Sequence, residues 1–423
     1  MGSLQSKKCN MTIMATILFP ILMLPYGIRN IKLLDGRICL ILFIAFFGYK
    51  LIFHPEGVVF GSGADCARYA MVFSQASSMD NITFYDFFMQ LDSHDNVDYF
   101  NPILLYVVSR LTTNIHIYFM VYAFIFAIFY VNNIYTVLTK CNKVSDYTLI
   151  LMYIVLSLIM SIHDFGGVRM PLAFQVYLFG VQKYLFCYAR SALLWIISSM
   201  LIHFSMFIFI IAFLLYLAIN KIGLKYFFAL FILVHLISSV DITFMQSLFS
   251  FLPGGISDRL MLYTNEVNLE GFESDNKYYL GEMNLWGRLD SMILRYYVFI
   301  AFSWLFIRHL QLNKKHEYLF KLSLYMYSVA LLLSNMPSGY RFILPGAYIC
   351  FATIVILYTN NLKVRSILLP FHKWYSLALI LFILHRFRFI LNEVGFSVLY
   401  TNFITMFFVE DNVPILETLK SIL

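Results

Sequence analysis

The feature that most constrains this chain is a series of apolar runs recurring from one end to the other. Each is close to the ~20 residues that a helix needs to cross ~30 Å of hydrocarbon. Continuous apolar windows place spans near 11–28, 38–54, 116–138, 147–163, 171–188, 192–219, 225–240, 291–310, 318–335, 342–359 and 374–391. The 192–219 run suits one steeply tilted helix or two short helices meeting near His203, and a last stretch, 394–409, is short enough to lie in the interface or among other helices. Composition agrees, with 61% of residues hydrophobic and 13% charged, where soluble domains are roughly half apolar and about a quarter charged. The expectation is an all-α polytopic membrane protein of about 11–13 transmembrane helices, a single transmembrane domain over 1–423 without a repeat of fixed period.

A net charge of +7 could suggest nucleic acid. The basic residues, however, come in small groups between apolar runs rather than along one solvated face, which reads as membrane topology. Positive connections stay in the cytoplasm. The groups Arg29/Lys32/Arg37, Lys140/Lys143, Lys183/Arg190, Lys221/Lys225, Arg308/Lys314/Lys315 and Lys363/Arg365/Lys373 are all cytoplasmic if the stretch from Arg190 to Lys221 goes out and returns, with His203 at its outer turn. Two long connections, about 55–101 and 241–290, are then external. The first carries Glu56, Asp65, Asp80, Asp86, Asp92, Asp95 and Asp98 against a lone Arg68. The N-terminus is external too, against which Lys7 and Lys8 argue weakly. The run from Met11 to Gly27 follows those lysines as in a signal peptide, but it lacks a small-residue cleavage site and a second span follows, so it is expected to be retained. The six cysteines show no C-x-x-C and no evident pairing, so neither a disulfide framework nor a metal site is expected.

Three turns or loop edges on the external face hold an arginine near the membrane surface: Arg68 in GSGADCARY, Arg169 in HDFGGVRMP and Arg341 in NMPSGYRFILP, where Tyr340 precedes it. An arginine against hydrocarbon costs about 2.5–3.5 kcal/mol, so each faces a polar cavity or snorkels to the headgroups. The plain reading of any one is interfacial anchoring. Three on one face, each beside Gly or Pro backbone, suit a lipid-linked phosphate or pyrophosphate, because guanidinium forks pair bidentately with phosphate oxygens. His203, inside SSMLIHFSMF, is by default a helix-packing hydrogen-bonder; at an outward break it could act as a general base or hold a substrate hydroxyl. His163 and Asp164, beside the Arg169 turn, are further polar ligands. Asp65 is the other candidate base, and Arg288 a second-tier phosphate or glycan ligand with Arg68. The Gly61-Ser62-Gly63 stretch lacks the strand and helix of a phosphate loop. Asp92, His94, Asp95 and Asp98 could ligate a divalent metal but read better as a solvated acidic loop.

Most of the chain resembles the Wzy-type polysaccharide repeat-unit polymerases, particularly the EpsG-like branch. The resemblance rests on Gly63-Ala64-Asp65 with Tyr69 after the second span, on Arg169 with Ala173 opening a later span, on Ile202-His203-Phe204 interrupting an apolar segment, and on Arg341 at the start of an outward-to-inward span. Met170 stands where the branch tends to have Gln, which removes any role for a glutamine there. The resemblance implies a GT-C-like helical layout in the bacterial cytoplasmic (inner) membrane. The implied activity is transfer of a growing glycan from undecaprenyl pyrophosphate onto the next lipid-linked repeat unit, giving a surface polysaccharide such as O-antigen or capsule.

In that reading Arg169 and Arg341 neutralise the donor pyrophosphate, Asp65 or His203 takes the acceptor proton, and Arg68, Tyr69, His163, Asp164, Arg288 and Tyr340 hold pyrophosphate or glycan. No cofactor is expected, and the implied partners are the lipid-linked oligosaccharide, membrane lipid, a chain-length regulator and a flippase, with no nucleic acid. The rivals are a flippase or transporter of the same lipid-linked sugar, against which stand the two long loops and the missing repeat, and a membrane acyltransferase acting on the glycan through His203.

Overall fold

The computed structural model describes residues 18–52, 63–79, 83–91, 98–144, 146–161, 169–187, 189–236, 285–308, 312–334 and 342–422. Along these the chain forms α1 (Pro20–Arg29), α2 (Leu34–Tyr49), α3 (Gly63–Ser78), α4 (Phe84–Leu91), α5 (Phe100–Leu111), α6 (Ile115–Thr139), α7 (Tyr147–Ile159), α8 (Arg169–Cys187), α9 (Ala192–Ile202), α10 (Met206–Ile219), α11 (Leu224–Leu236), α12 (Leu285–Ile307), α13 (Lys314–Leu333), α14 (Ile343–Asn360), α15 (Leu362–Glu393), α16 (Ser397–Tyr400) and α17 (Ile415–Ile422). A 3-10 turn follows α16 at Thr405–Phe408. Among the described residues there is no strand, and α6, α14 and α15 are long and apolar enough by length and composition to cross a membrane. The protein is an all-α polytopic membrane protein, as its apolar runs predict.

The 192–219 run divides into α9 and α10, with His203 capping the first, which is the two-helix alternative. The stretch expected as one external loop, 55–101, contains α3 and α4. Helix α3 forms because Cys66, Tyr69, Phe73 and Ala76 recur at spacings of three and four and are all buried, so one face is apolar while Ser74, Gln75 and Ser77 occupy the others. Helix α5, short and with Arg110 in its last turn, falls outside every expected span.

The helices group into two compact units. Unit 1 comprises Met1–Lys140, Ser161–Ile210 and Arg386–Leu423. Here α2 packs along α6, and α8 along α6 and α9. Small residues set the closest approaches: a Cβ on Gly180 of α8 would lie 2.6 Å from Ile196 Cγ1 and 2.9 Å from the Ala192 carbonyl oxygen of α9. Between α6 and α8 the buried Asn133 amide donates to the backbone and side-chain oxygens of Gln175, both at 2.8 Å. The carboxyl-terminal segment is tied in by Lys50 Nζ donating to the Val409 carbonyl at 2.6 Å and by an antiparallel bridge between Leu51 and Val394.

Unit 2 comprises Cys141–Met160 and Ile211–His385. Its centre is α14, which packs against α7, α12 and α13 and is buried over nearly its whole length. Ser323 and Thr353 share a 2.6 Å hydroxyl contact between α13 and α14, and His372 of α15 meets the Tyr297 hydroxyl of α12 at 2.6 Å. Asp146 caps α7 by accepting the Thr148 N–H, and its other oxygen accepts the Tyr358 hydroxyl of α14.

Candidate functional site

The site lies in unit 1, where the chain entering α5 meets the break between α9 and α10. Tyr99 N–H donates to the Leu201 carbonyl at 3.0 Å, and Phe204 N–H donates to Asp98 Oδ1 at 2.8 Å. The residues just before α5 thus supply partners to a backbone that has left the helix and lost its ladder. That loss is why a polar stretch is needed there, since an unpaired backbone group away from water is costly.

Arg169 opens α8, with Pro171 tolerated in the first turn because the N–H it lacks has no helical partner there. Its Nη1 lies 2.6 Å from Asp98 Oδ2, and the side chains are 19% and 5% exposed. Both Asp98 oxygens are therefore engaged, one by a charge and one by the backbone. This carboxylate ties the guanidinium to the backbone of the helix break. The Arg169 guanidinium also lies 5.5 Å from the ring centroid of Tyr69, which is buried on the apolar face of α3. Behind it, Tyr118 donates to Asn101 Oδ1 at 2.6 Å and packs 5.3 Å from Phe73.

His203 adopts an extended conformation at the end of α9. Its Nδ1 lies 3.2 Å from the Ser205 backbone nitrogen and 2.7 Å from the Ser205 hydroxyl. A backbone N–H only donates, so Nδ1 accepts and the neutral ring carries its hydrogen on Nε2. In this tautomer His203 offers a donor, the opposite of what a general base must offer.

Of the residues expected from sequence, the structure brings together Tyr69 and Arg169, and it sets His203 one residue from the Phe204 N–H that binds Asp98. Asp65 and Arg68 lie on α3 and Arg288 on α12, but their side chains are outside the described residues, as are His163, Asp164, Tyr340 and Arg341 altogether. Asp98 corrects the sequence reading. It is neither solvated nor one of a set of equivalent acids: it is the buried partner of Arg169. The signal available was its position, last of the acidic series and immediately before an apolar segment. Among the described residues no three His, Cys, Asp or Glu side chains gather as a metal site.

An all-helical, multiply hydrophobic chain with an ion-paired arginine, a tyrosine and a histidine at a helix break belongs to the class of polytopic membrane proteins with a polar site inside the helical body. The sequence model of the EpsG family matches residues 40–404, well over half of the chain, and the protein belongs to the EpsG family. No curated protein and no solved structure matches it. Membership carries a polysaccharide polymerase-type role of glycosyltransferase-like character.

Proposed function

We propose that this protein joins oligosaccharide repeat units carried on undecaprenyl pyrophosphate into a surface polysaccharide, such as O-antigen or capsule, at the outer face of the cytoplasmic membrane. The observation that carries the reading is Arg169, a cation at a helix start, fixed by a buried carboxylate beside a helix break. The acceptor sugar hydroxyl attacks the anomeric carbon of the donor, the bond from that carbon to the phosphate oxygen breaks, and undecaprenyl pyrophosphate leaves with the electron pair. Arg169, with Arg341, stabilises the charge that grows on the leaving oxygen, and preorganised electrostatic help of this kind is usually the largest catalytic term. A guanidinium already aligned by Asp98 needs little reorganisation as that charge develops.

The acceptor proton passes to a base. The Nε2–H tautomer makes His203 a donor to a phosphate or hydroxyl oxygen and favours Asp65 as the base. Tyr69, Arg68, His163, Asp164, Arg288 and Tyr340 complete the proposed contacts to pyrophosphate and glycan, and a flippase and a chain-length regulator are the proposed partners.

The test is the length distribution of lipid-linked glycan in cells carrying Arg169→Ala or Arg169→Lys at matched membrane levels. Single repeat units accumulating on the outer side, with long chains lost, is the expected result. Units retained on the cytoplasmic side would indicate a flippase, and unchanged long chains would remove Arg169 from the mechanism.

A further inference from the structure

Helix α3 brings Tyr69 to Arg169, and the end of α3 is held by Arg110 of α5. The last carbonyl oxygens of a helix have no partner within it. In α3 the Ser77 hydroxyl donates to the Ser74 carbonyl at 2.9 Å and the Ser78 hydroxyl to the Gln75 carbonyl at 2.8 Å. The next groups are met from outside the helix: Arg110 Nη2 donates to the Ala76 carbonyl, and Nη1 to the Met79 carbonyl at 2.6 Å. Arg110 lies in the last turn of α5, so one cation stands at the C-terminal ends of two helices, where the helix dipole favours positive charge. It has no ion pair among the described residues.

The same guanidinium lies 5.5 Å from the ring centroid of Tyr106, which meets Phe84 of α4 at 5.2 Å and Phe87 at 5.4 Å. Helices α3, α4 and α5 therefore meet at this side chain. The simpler use for an exposed arginine at the end of an apolar helix is to snorkel into water or headgroups. A snorkelling arginine leaves its fork in solvent, whereas Arg110 engages Nη1 and Nη2 with two carbonyls that lie 31 and 34 residues earlier in the chain.

Without these bonds α3 rests on its apolar stripe of Cys66, Tyr69, Phe73 and Ala76, with the Phe73 ring 5.3 Å from that of Tyr118. Apolar burial is non-directional, so such a stripe resists detachment better than it resists sliding or rotation. Two hydrogen bonds with fixed directions resist both. Ala76 follows Tyr69 by seven residues on the same stripe, about 10 Å along the axis at ~1.5 Å per residue. A slip of α3 at Arg110 is thus carried to the Tyr69 ring, whose centroid is 5.5 Å from the Arg169 guanidinium. We infer that Arg110 is a positioning residue for the reaction: it sets the register of α3 on α5, and through it the seat of Tyr69 against Arg169. The inference rests on the polymerase reading, in which Arg169 meets the donor pyrophosphate.

Native cysteines report the seat. Cys66 is 8% exposed on the buried stripe of α3, while Cys39 in α2 and Cys350 in α14 are both 0% exposed. The full chain in detergent is labelled with N-ethylmaleimide and each cysteine is followed by peptide mass spectrometry, in wild type, Arg110→Lys and Arg110→Met. Methionine keeps an apolar stem and removes both bonds. Cys66 should label at least about tenfold faster in Arg110→Met, the loss of a hydrogen bond from a charged group, with Cys39 and Cys350 as slow as in wild type. Lysine keeps the cation and one carbonyl bond, and Arg110→Lys should fall between. Initial rates of chain growth in isolated membranes, per folded molecule, should follow the same order, with Arg110→Met at about a tenth of wild type. A role confined to overall stability would expose all three cysteines together and leave the rate per folded molecule unchanged. Unchanged Cys66 labelling in Arg110→Met, or normal chain growth despite faster labelling, would overturn the inference. Should Arg110→Met not fold, Arg110→Lys carries both measurements. Failure of the polymerase reading is distinguishable: it appears as unchanged glycan lengths in Arg169→Ala cells, while Cys66 labelling still decides whether Arg110 seats α3.

Discussion

Asp98 holds Arg169 and the helix break at once, with Oδ2 2.6 Å from the guanidinium and Oδ1 accepting the Phe204 N–H at 2.8 Å. Removing the carboxylate strands a largely buried cation and an unpaired backbone donor, and breaking such a pair from one side costs about 3–5 kcal/mol. Asp98→Ala should therefore lower thermal stability in detergent markedly. Asp98→Asn keeps an acceptor for Phe204 and should lower it less, while both variants shorten the glycan. An Asp98→Ala protein as stable as wild type would contradict the buried pair.

The Ser205 N–H on Nδ1 makes His203 an Nε2–H donor. Glutamine can place an N–H near the Nε2 position, whereas asparagine reaches only the Nδ1 position. His203→Gln should retain polymerisation within about tenfold, and His203→Asn should lose more, measured as initial rates of chain growth in isolated membranes at matched protein level. Loss of a general base removes about 10²–10⁴-fold. A drop of that size in His203→Gln, equal to that in His203→Ala, would restore the histidine as the base.

How much of this was legible varied with the physical origin of each feature. The break at His203 could be read because the 192–219 run is long enough for two short helices and the positive-inside pattern requires the chain to go out and return between Arg190 and Lys221. Arg169 could be read because an arginine at the edge of an apolar span is costly against hydrocarbon. Asp98 was masked, because an acid among Asp92, Asp95 and other acids has the composition of a solvated loop; its one sequence signal is its place immediately before an apolar segment, and its contacts with Arg169 and the Phe204 N–H are tertiary. Helix α3 was hidden by its mixed composition: its apolar face of Cys66, Tyr69, Phe73 and Ala76 is one stripe on a short polar segment, and continuous-window reading sees no span there. His235, Phe299 and Tyr327 are far apart in sequence and become neighbours only when α11, α12 and α13 come together.

Gly180 offers a test of how the site is supported. A Cβ there would meet Ile196 Cγ1 at 2.6 Å and the Ile196 backbone nitrogen at 2.8 Å, and backbone atoms cannot step aside as a flexible side chain does. Gly180→Val should push α9 from α8, the helices that end at His203 and begin at Arg169. Overpacking of this kind costs about 1–3 kcal/mol. The expected outcome is reduced thermal stability together with shortened glycan, and Gly180→Ala should show both effects more weakly. Wild-type stability in Gly180→Val would mean that the two helices are not in close contact.

Asp146 provides a pH dependence that belongs to unit 2 and not to the site. Burial raises its pKa, but the Tyr358 hydroxyl, the Thr148 backbone N–H and the Arg365 guanidinium, 3.7 Å away, outweigh that and hold the carboxyl below its ordinary value of 3.8. A folded-state pKa depressed in this way adds stability that is fully present above the unfolded value and is lost as pH falls through the folded one. The stability difference between wild type and Asp146→Asn, from thermal unfolding in detergent, should therefore be constant from pH 7 down to about 5 and shrink below about 4. Tyr358→Phe removes the strongest of the compensating bonds and should diminish that difference, moving the midpoint of its loss upward toward the ordinary carboxylate range. A difference that instead grew on acidification would mean that Asp146 is held protonated, with burial prevailing over its three partners.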